Sequence, residues 1–549
     1  MNVAELAMEL KLDDIVALLT SKDALEEEVA ALKRRVAWFE KQLFGQKSER
    51  RIVDVPATQL SLGEVLGAAP ETPAVTTKHI AAHERKISRK KPLDGATSDT
   101  GLRFDDAVPV KEIRIEPAEM GTLPADAYQI IDEKVTYRLA QEPSSYVVLK
   151  YVRPVIKLNV AVAEETSEAK TQHVDEAPAV RTTAIADDLA KIFCAHAPRS
   201  VIEKSYADVS VLAAMLIDKF VYHMPLYRQH QRLESSGIAL SRATLTSWTQ
   251  RSVSLLLPIV DAQWRSVKAS RVLTMDETPN KVARDHKGKM DTGYFWPVYG
   301  DQNEIVFHYH RSRGGQVVRD LLAGFQGTLL TDGYVVYERF AAATKGVQHA
   351  QCWAHTRRGF IEAENAEPER VAKALFTIGL LYEQEKHIRT KKWVGESKRQ
   401  HRVEHSKPIV EQFLAWLEQE LHDKSLLPSN PFTEAACYAL KRKNELKVFL
   451  EDPDVSIDTN HIERGLKPIP MGRKNWLFCW TEVGAEHVAA IQSLLVTCKL
   501  HDVDPYTYLV DVLQRVDEHP SDKVHELTPR LWKEKFAAKP LRSDLYRRA

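Results

Sequence analysis

The sequence predicts a multidomain α/β protein. Three strand-like runs follow one another between residues 271 and 313, and helical and strand-like runs then alternate up to residue 355. A long helical stretch follows, with apolar residues at helical spacing. Three strands in a meander and then alternating helix and strand is the order of an RNase H-like core. The predicted fold is this core with an all-helical insertion, preceded by a coiled coil, a small β-rich module and a helix-turn-helix region.

Length and composition limit the classes of protein to consider. A chain of 549 residues predicts about three or four domains. Because 76 basic and 76 acidic side chains give a formal net charge of zero, any nucleic-acid surface must come from local basic patches. The five cysteines are scattered and show no C-x-x-C pair, which indicates a reducing cytoplasm. The sequence shows neither a signal peptide nor an apolar run of ~20 residues, so no membrane association is expected.

Residues 1–49 are predicted to form an N-terminal helix and a coiled coil. Apolar residues alternate spacings of four and three along a heptad seam, at Leu25, Val29, Leu32, Val36, Phe39 and Leu43. Such a seam predicts a homodimer or a higher oligomer. The alternative is an amphipathic helix that packs on its own domain.

Residues 50–102 are rich in Ala, Thr, Pro and Gly and are predicted to be a basic linker. Its basic run, His83–Lys91, either contacts phosphates or is a solvated stretch. Residues 103–162 contain β-branched and aromatic residues with partial alternation, which predicts a small antiparallel β-rich module. Residues 163–183 are predicted to be an acidic linker.

The helical region 184–267 contains a predicted helix-turn-helix. One helix ends near Ser236, Gly237 makes the turn, and Ser241 caps a second helix. The second helix carries side chains that can reach base edges or phosphates, namely Arg242, Thr244, Thr246 and Gln250. The alternative is a helical hairpin that only packs.

The remaining chain is divided around the predicted α/β core. Residues 268–355 form its first part, and residues 356–455 form the helical insertion. Residues 456–518 supply a helix with Glu463 and the closing helices. Residues 519–549 are polar and are predicted to be a peripheral C-terminal tail.

Three acids are candidate ligands of a divalent metal. Asp276 ends the first predicted strand, and Asp332 ends the fourth, which lies beside the first in an RNase H-like sheet. Glu463 comes from a helix beyond the insertion. Carboxylate oxygens suit Mg²⁺, and two such ions can promote phosphoryl transfer. Glu277 is an alternative to Asp276, because strand alternation points the two to opposite faces; a strand-end Asp is also commonly a turn former.

A basic, aromatic segment surrounds Glu463. Its candidate DNA contacts are Arg464, Lys467, Arg473, Lys474 and Trp476, with Arg473 and Lys474 in a predicted loop that grips the backbone. Trp476 either stacks on a base or packs with Leu477 and Phe478, and packing is the favoured interpretation. Cys352 and His355 form a C-x-x-H pair, for which structural packing is favoured over zinc.

Several segments of the chain resemble transposases of the bacterial insertion-sequence-66 family. The matching segments are LFGQKSER (43–50), KFVYHMPLYRQHQRLESSGIALSRATLTSW (219–248), MDETPNKV (275–282), TDGYVVYE (331–338), CWAHTRRGF (352–360), TNHIERGLKPIPMGRKNWLF (459–478) and VDPYTYLVDVL (503–513). The resemblance implies a DDE transposase with Asp276, Asp332 and Glu463 as catalytic triad and ligands of two Mg²⁺ ions, or Mn²⁺. It also implies terminal inverted repeats and target DNA as partners, accessory proteins of the same element, and a place in the bacterial cytoplasm at the nucleoid.

Zinc is doubtful in this chain. Members of the family usually carry a Cys-rich, zinc-binding segment after the linker, whereas residues 92–162 contain no cysteine. Two rival functions remain open from the sequence. One is an RNase H-like nuclease without strand transfer, and the other is a non-catalytic, transposase-derived DNA-binding regulator.

Overall fold

The computed structural model describes residues 102–124, 127–142, 145–158, 192–283, 290–422, 426–476, 479 and 481–546. All of them belong to one compact unit, Arg89–Ala549. The predicted coiled coil, the basic linker up to residue 101 and the acidic linker lie outside the described residues.

The β-rich module forms a mixed sheet. Its strands are β2 (Val110–Arg114), β3 (Tyr128–Glu142), β4 (Ser145–Leu158) and β5 (Ile192–Cys194), whereas β1 (Arg103–Phe104) lies outside this sheet. The prediction of an antiparallel module is wrong in one pairing, because β2 runs parallel to the central strand β4, whereas β3 and β5 are antiparallel to it. The described part of the predicted helical region begins with β5.

Three helices follow the module, and the end of the second and the start of the third agree with the predicted boundaries. They are α1 (Val209–Phe220), α2 (Leu226–Ser235) and α3 (Arg242–Lys268). The hydroxyl of Ser241 accepts a hydrogen bond from the amide of Thr244, which caps α3. Gly237 has φ +78°, a conformation that favours glycine, in the turn before β6 (Ile238–Ala239), which pairs with β1. α3 continues into the core, where the Gln263 amide donates to the carbonyl of Ile305.

The main sheet has six strands in the order β10-β9-β7-β11-β12, with β8 paired to β9. The strands are β7 (Val272–Met275), β8 (Thr278–Ala283), β9 (Met290–Tyr299), β10 (Ile305–His310), β11 (Gly327–Thr331) and β12 (Val347–Gln351). Helices α4 (Gly315–Leu321) and α5 (Val335–Ala343) connect the last three strands. The sequence predicted five of these strands, and β8 was missed. Strands β7, β9 and β10 are antiparallel neighbours, and β7, β11 and β12 are parallel.

The insertion is helical where the structure describes it. Its helices are α6 (Trp353–Glu362), α7 (Pro368–Lys391), α8 (Gly395–His401), α9 (Lys407–Glu420), α10 (Pro431–Lys441) and α11 (Val448–Glu451), with a π-helical turn, Arg402–Ser406, between α8 and α9. Together with buried residues of the main sheet they enclose an apolar core around Trp353, Phe360 and Phe413. None of the described helices has the length and apolarity needed to cross a bilayer.

The chain then returns to the main sheet through α12 (Asn460–Leu466), α13 (Pro468–Trp476), α14 (Glu482–Leu500), α15 (Pro505–Arg515) and α16 (Pro529–Lys535). The C-terminal tail is not peripheral, which corrects the prediction. Trp532 is buried, and its indole donates to the buried carboxylate of Asp511 at 2.9 Å. Further along, Tyr151 of the β-rich module donates to Asp544 at 2.9 Å, so the tail joins the closing helices to that module.

Candidate active site at the carboxyl ends of two parallel strands

Asp276 and Asp332 leave the main sheet at the same level. Strands β7 and β11 are parallel neighbours, with Thr274 paired to Leu330. Each aspartate lies two residues beyond its member of that pair. Because the carboxyl ends of parallel neighbours meet at one edge of a sheet, this register brings the two carboxylates together.

Glu277 is already engaged. One of its carboxylate oxygens accepts hydrogen bonds from Arg313 at 2.9 and 2.5 Å, and the other accepts one from Tyr337 at 2.6 Å. Its side chain is only 2% exposed. Asp276 instead accepts the backbone amide of Glu277 at 2.8 Å and is partly exposed. Of the two neighbouring acids, Asp276 is thus the one available to an external ligand.

The turn after Asp332 is held by the insertion. The Asp332 carboxylate accepts the amide of Tyr334 at 3.0 Å, the turn-forming role that strand-end aspartates commonly have. Its second oxygen remains available for another role. Arg442, at the end of α10, donates to the carbonyl of Gly333 at 3.2 Å, and the ring of Tyr438 lies against the α-carbon of Gly333.

Gly333→Ala is expected to impair the site, because an added Cβ would overlap the Tyr438 ring. Either α10 or the Asp332 turn must then move. We expect a loss of roughly 1–3 kcal/mol of unfolding free energy, typical of overpacking. Urea titration measures it, and Gly333→Ala/Tyr438→Ala is the control that removes the clash. If the double variant recovers no stability beyond that of Tyr438→Ala alone, the clash is not the cause.

Glu463 reaches the same edge through two anchors of its helix, α12. The imidazole of His461 lies 3.1 Å from the hydroxyl of Thr274 on β7. The backbone amide and hydroxyl of Thr459 both donate to the thiol sulfur of Cys352, at 3.3 and 3.2 Å. Cys352 itself precedes α6. These contacts fix the start of α12 beside the strand that carries Asp276.

His355 and Arg358 of α6 face Glu463, and neither was predicted to do so. Arg358 lies 3.5 Å and His355 Nε2 lies 3.8 Å from the same carboxylate oxygen of Glu463. His355 Nδ1 is buried without a hydrogen-bond partner. The C-x-x-H pair was the signal in the sequence, but it was interpreted as packing. That interpretation holds for Cys352, whereas His355 points into the acidic site.

The site carries unbalanced negative charge. Burial raises the pKa of Asp276 to about 7, and the nearby carboxylates of Glu277, Asp332 and Glu463 add to the rise. Burial lowers the pKa of His355 despite the nearby Asp332, so its imidazole is neutral at pH 7. An arrangement in which one acid is driven towards its neutral form favours a bound cation.

The residues present suit a hard divalent cation. In the described part of the chain, no three His, Cys, Asp or Glu side chains are close enough to ligate one ion. Asp276, Asp332 and Glu463 do not form such a cluster either, because the Glu463 side chain turns towards Arg358. Their donor chemistry nevertheless fits Mg²⁺ or Mn²⁺, because all three offer carboxylate oxygens at one sheet edge.

The predicted basic contacts follow Glu463 along its own helix, α12, and along the next helix, α13. Arg464, Lys467 and Lys474 are exposed, whereas Arg473 donates to the carbonyl of Pro279 on β8. The segment around Arg473 is helical, in α13, so the predicted loop is wrong.

The predicted aromatic contact is largely packed. Trp476 packs over the α-carbon of Gly472 and against the core, with its indole nitrogen buried. This favours packing over base stacking. Leu477 and Phe478 lie outside the described residues.

The predicted helix-turn-helix side chains lie on the first turns of α3. Arg242 is exposed, with its guanidinium 5.7 Å from the ring centre of Tyr227. Thr244 is engaged with the Ser241 hydroxyl at 2.9 Å. Thr246 and Gln250 are partly exposed. Arg242 is therefore the most accessible of the four.

Comparison with known proteins gives three family matches. A model described as "Transposase IS66 family" matches residues 204–487, and one described as "IS66 C-terminal element" matches residues 493–530. A third, described as "Transposase C of IS166 homeodomain", matches residues 25–98.

Curated relatives of this chain occur in Sinorhizobium fredii. The uncharacterized protein y4hP is 29% identical over 538 residues, which covers 93% of this chain and 90% of the relative. The uncharacterized protein y4qI is 30% identical over 351 residues, 61% of this chain and 64% of that protein. The uncharacterized protein y4jD is 29% identical over 357 residues, 62% and 69% of the two chains.

Proposed function

The chain belongs to the IS66 transposase family, and from this premise we propose that it is a DDE transposase. In this proposal it binds the terminal inverted repeats of an insertion sequence, cleaves the DNA there and joins the ends to target DNA. The strand order and the parallel pairing of β7 with β11 support an RNase H-like catalytic core. The protein acts in the bacterial cytoplasm, at the nucleoid.

One observation carries the proposal. Asp276 and Asp332 leave neighbouring parallel strands at the same level, and the His461–Thr274 contact holds the Glu463 helix against one of those strands. Three acids that are distant in sequence therefore share one edge of the sheet. Pairing of β7 with β11 alone would not bring Glu463 to that edge. A structural role does not require this convergence, because neighbouring carboxylates repel one another.

The side chains have separate roles in the proposed reaction. Asp276, Asp332 and Glu463 hold two Mg²⁺ or Mn²⁺ ions, which supply Lewis acidity for phosphoryl transfer when bound. Arg313 and Tyr337 bind Glu277 and so keep it out of the ligand set. Arg358 lies 3.5 Å from the Glu463 carboxylate and would be free to contact a phosphate if Glu463 served as a metal ligand.

DNA contacts are proposed at two places. Arg464, Lys467 and Lys474 lie exposed beyond Glu463 and contact phosphates next to the cleaved bond. The helix pair α2–α3, with Arg242 foremost, contacts the terminal repeats. The homeodomain match over residues 25–98 supports a further DNA-binding segment. Oligomerisation through the predicted coiled coil and the use of accessory proteins remain part of the proposal.

We expect the purified protein to cut and rejoin DNA only with a divalent metal. Incubation with an element-bearing plasmid and Mg²⁺ or Mn²⁺ should give nicked and joined products, which sequencing of the junctions identifies. EDTA should reduce both products to background, and an excess of Mg²⁺ should restore them. Nicks without joined products would support the nuclease instead. Undiminished cleavage in EDTA would contradict the metal-dependent site.

A further inference from the structure

Four aromatic rings form a cluster near the C-terminal end of α7, in the helical insertion. We define the ring cluster as His387, Trp393, His401 and His405. The His387 and His401 rings are nearly parallel, with centres 5.3 Å apart. The centre of Trp393 lies 5.3 Å from that of His387 and 5.1 Å from that of His401, and His405 lies 4.3 Å beyond His401. His387 and His405 are exposed, so the cluster is open to solvent.

The ring cluster stands among excess cations. Residues 386–407 contain eight Lys or Arg and only two acids, Glu396 and Glu404. Arg402 is buried and Arg399 is paired with Glu396. Three exposed cations lie at the end of α7, namely Arg389, Lys391 and Lys392. In the part of the chain that the structure describes, no carboxylate lies within salt-bridge distance of them. A purely solvated helix face would tolerate this charge but does not require it.

The loop that carries Trp393 has an unusual backbone. Lys392 has φ +54° and Gly395 has φ +53°. A left-handed conformation costs a lysine roughly 1 kcal/mol. Between them, Val394 is 76% exposed. Val394 thus projects from a charged surface, while Trp393 is half-buried against the rings of His387 and His401.

The ring cluster is connected to the acidic site through α7. Tyr382 lies in the middle of α7, where burial raises the pKa of its phenol and the nearby charge of Asp458 adds to the rise. Asp458 lies two residues before the first residue of the Glu463 helix. Lys391 lies nine residues further along α7, which corresponds to ~14 Å at the rise of an α-helix. Arg402, between His401 and Val403, also donates to the carbonyl of Val455. The ring cluster therefore lies one to three helical turns along α7 from the residue that contacts the segment leading to Glu463.

We propose that the ring cluster and the neighbouring Lys391 and Lys392 bind an unpaired DNA strand beside the cleaved bond. This inference rests on the proposed function for the identity of the DNA. Every base has a π-face that can stack on an aromatic ring, and exposed cations contact the phosphates between bases. A duplex offers its phosphates but keeps its base faces stacked internally. Rings and cations together thus select an unpaired strand over a duplex.

The state of the histidines suits stacking. Burial, with His405 and His387 close by, lowers the pKa of His401, so its ring is neutral at pH 7. Its Nε2 lies 3.0 Å from the amide oxygen of Gln384, which fixes the ring plane. Because His401 is held in this way, Trp393 and His387 have a rigid surface to pack on.

The test uses the full-length protein and a fluorescently labelled single strand, with the corresponding duplex as second probe. Trp393→Ala should weaken binding of the single strand about tenfold, the loss of one stacked base, and leave duplex binding unchanged. Lys391→Gln/Lys392→Gln should lower the salt dependence of single-strand binding by about 1.4 in the slope of log K against log salt. Phe376→Ala is the control, since Phe376 is an aromatic on α7 that is 68% exposed, whereas Trp393 is half-buried just beyond the end of that helix.

Each outcome decides the proposal. Single-strand binding by Trp393→Ala equal to that by Phe376→Ala would show a solvated surface and overturn it, and so would an equal loss on the duplex. Circular dichroism of both variants separates lost binding from lost folding, and the lysine pair keeps the test valid if Trp393→Ala unfolds. A protein without cleavage or joining activity that still loses single-strand binding on Trp393→Ala would refute the proposed function and retain this surface.

Discussion

Asp276→Asn is expected to abolish DNA cleavage and joining while making the metal-free protein more stable. The substitution removes a carboxylate that the proposed metal ions require, and losses from removing one member of such a unit are roughly a thousandfold or more. Joined and nicked products from an element-bearing plasmid measure the loss. Asparagine has nearly the same shape as aspartate, so the turn after β7 should persist.

The gain in stability follows from the pKa of Asp276. Burial raises it from an ordinary value of 3.8 to about 7 in the folded protein. Between those two values the folded state holds a proton that the unfolded state has released, so stability falls as pH rises from about 4 to about 7. Above pH 7 the lost stability is not regained, because the carboxyl is then ionised in both the folded and the unfolded state. Asparagine removes this penalty, which is on the order of 4 kcal/mol at most.

Urea titration in EDTA at several pH values measures this effect. The unfolding free energy of Asp276→Asn should equal that of the parent protein at pH 4. Its excess over the parent value should be largest above pH 7. Mg²⁺ should then stabilise the parent protein and leave the variant unaffected. An equal difference at pH 4 and pH 8 would show that burial of the charge is not the cause.

Glu277→Gln tests the alternative ligand. Because Arg313 and Tyr337 occupy both oxygens of Glu277, this variant should lose stability and keep metal-dependent cleavage in the folded fraction. The reverse pattern, with Asp276→Asn active and Glu277→Gln inactive at full folding, would assign the ligand to Glu277. The pair of variants therefore separates two neighbouring acids that the sequence alone left open.

Local signals in the sequence predicted much of the fold. Gly237 predicted the end of α2, and Ser241 predicted the start of α3. Both were predictable because helix capping and a left-handed backbone depend only on neighbouring residues. The order of the strands around Asp276 and Asp332 also followed from local patterns. The coiled coil lies outside the described residues and stays a prediction.

Contacts between distant residues account for most of what was missed. Strand β8 begins Thr278-Pro279 and buries Thr278 and Asn280, so its inward face carries no apolar pattern at its start. The C-terminal tail has few apolar residues, and Trp532 packs because Asp511 accepts its indole proton. A buried polar contact of this kind has no periodicity from which it could be predicted.

The role of the three acids as metal ligands stays a prediction, and the residues that contact them were not predicted. Asp276, Asp332 and Glu463 share one edge, as the strand order indicated, whereas Arg358 gave no separate signal in the sequence. It lies in a basic run, and such a run usually predicts a solvated face. Its contact with Glu463 depends on how α6 and α12 meet, across a separation of 105 residues of sequence (463 − 358).

Arg402→Met is expected to destabilise the insertion by about 3–5 kcal/mol, the usual cost of leaving one member of a buried ion pair. Arg402 is fully buried and pairs with Glu385 through two hydrogen bonds, at 2.7 and 2.9 Å. It also donates to the carbonyl oxygens of Phe449 and Val455 at 2.7 and 3.0 Å. The substitution strands a carboxylate and unpairs backbone groups in one step.

The matched control is Arg399→Met, which removes an arginine from the same segment. Arg399 pairs with Glu396 and Glu451 at the surface, where water screens the charges, so its loss should cost far less stability than the loss of Arg402. Urea titration of both variants gives the two values. A cost for Arg402→Met as small as that for Arg399→Met would contradict the buried pair.

The double variant Arg402→Met/Glu385→Leu separates the two parts of the loss. An apolar pair removes the stranded charge, so part of the stability should return. Recovery should remain incomplete, because the carbonyls of Phe449 and Val455 still lack a donor. These carbonyls belong to the segment that leads to Glu463, so the double variant should also cleave DNA more slowly than its folded fraction predicts. Full recovery of cleavage with incomplete recovery of stability would show that this segment does not need Arg402 to position Glu463.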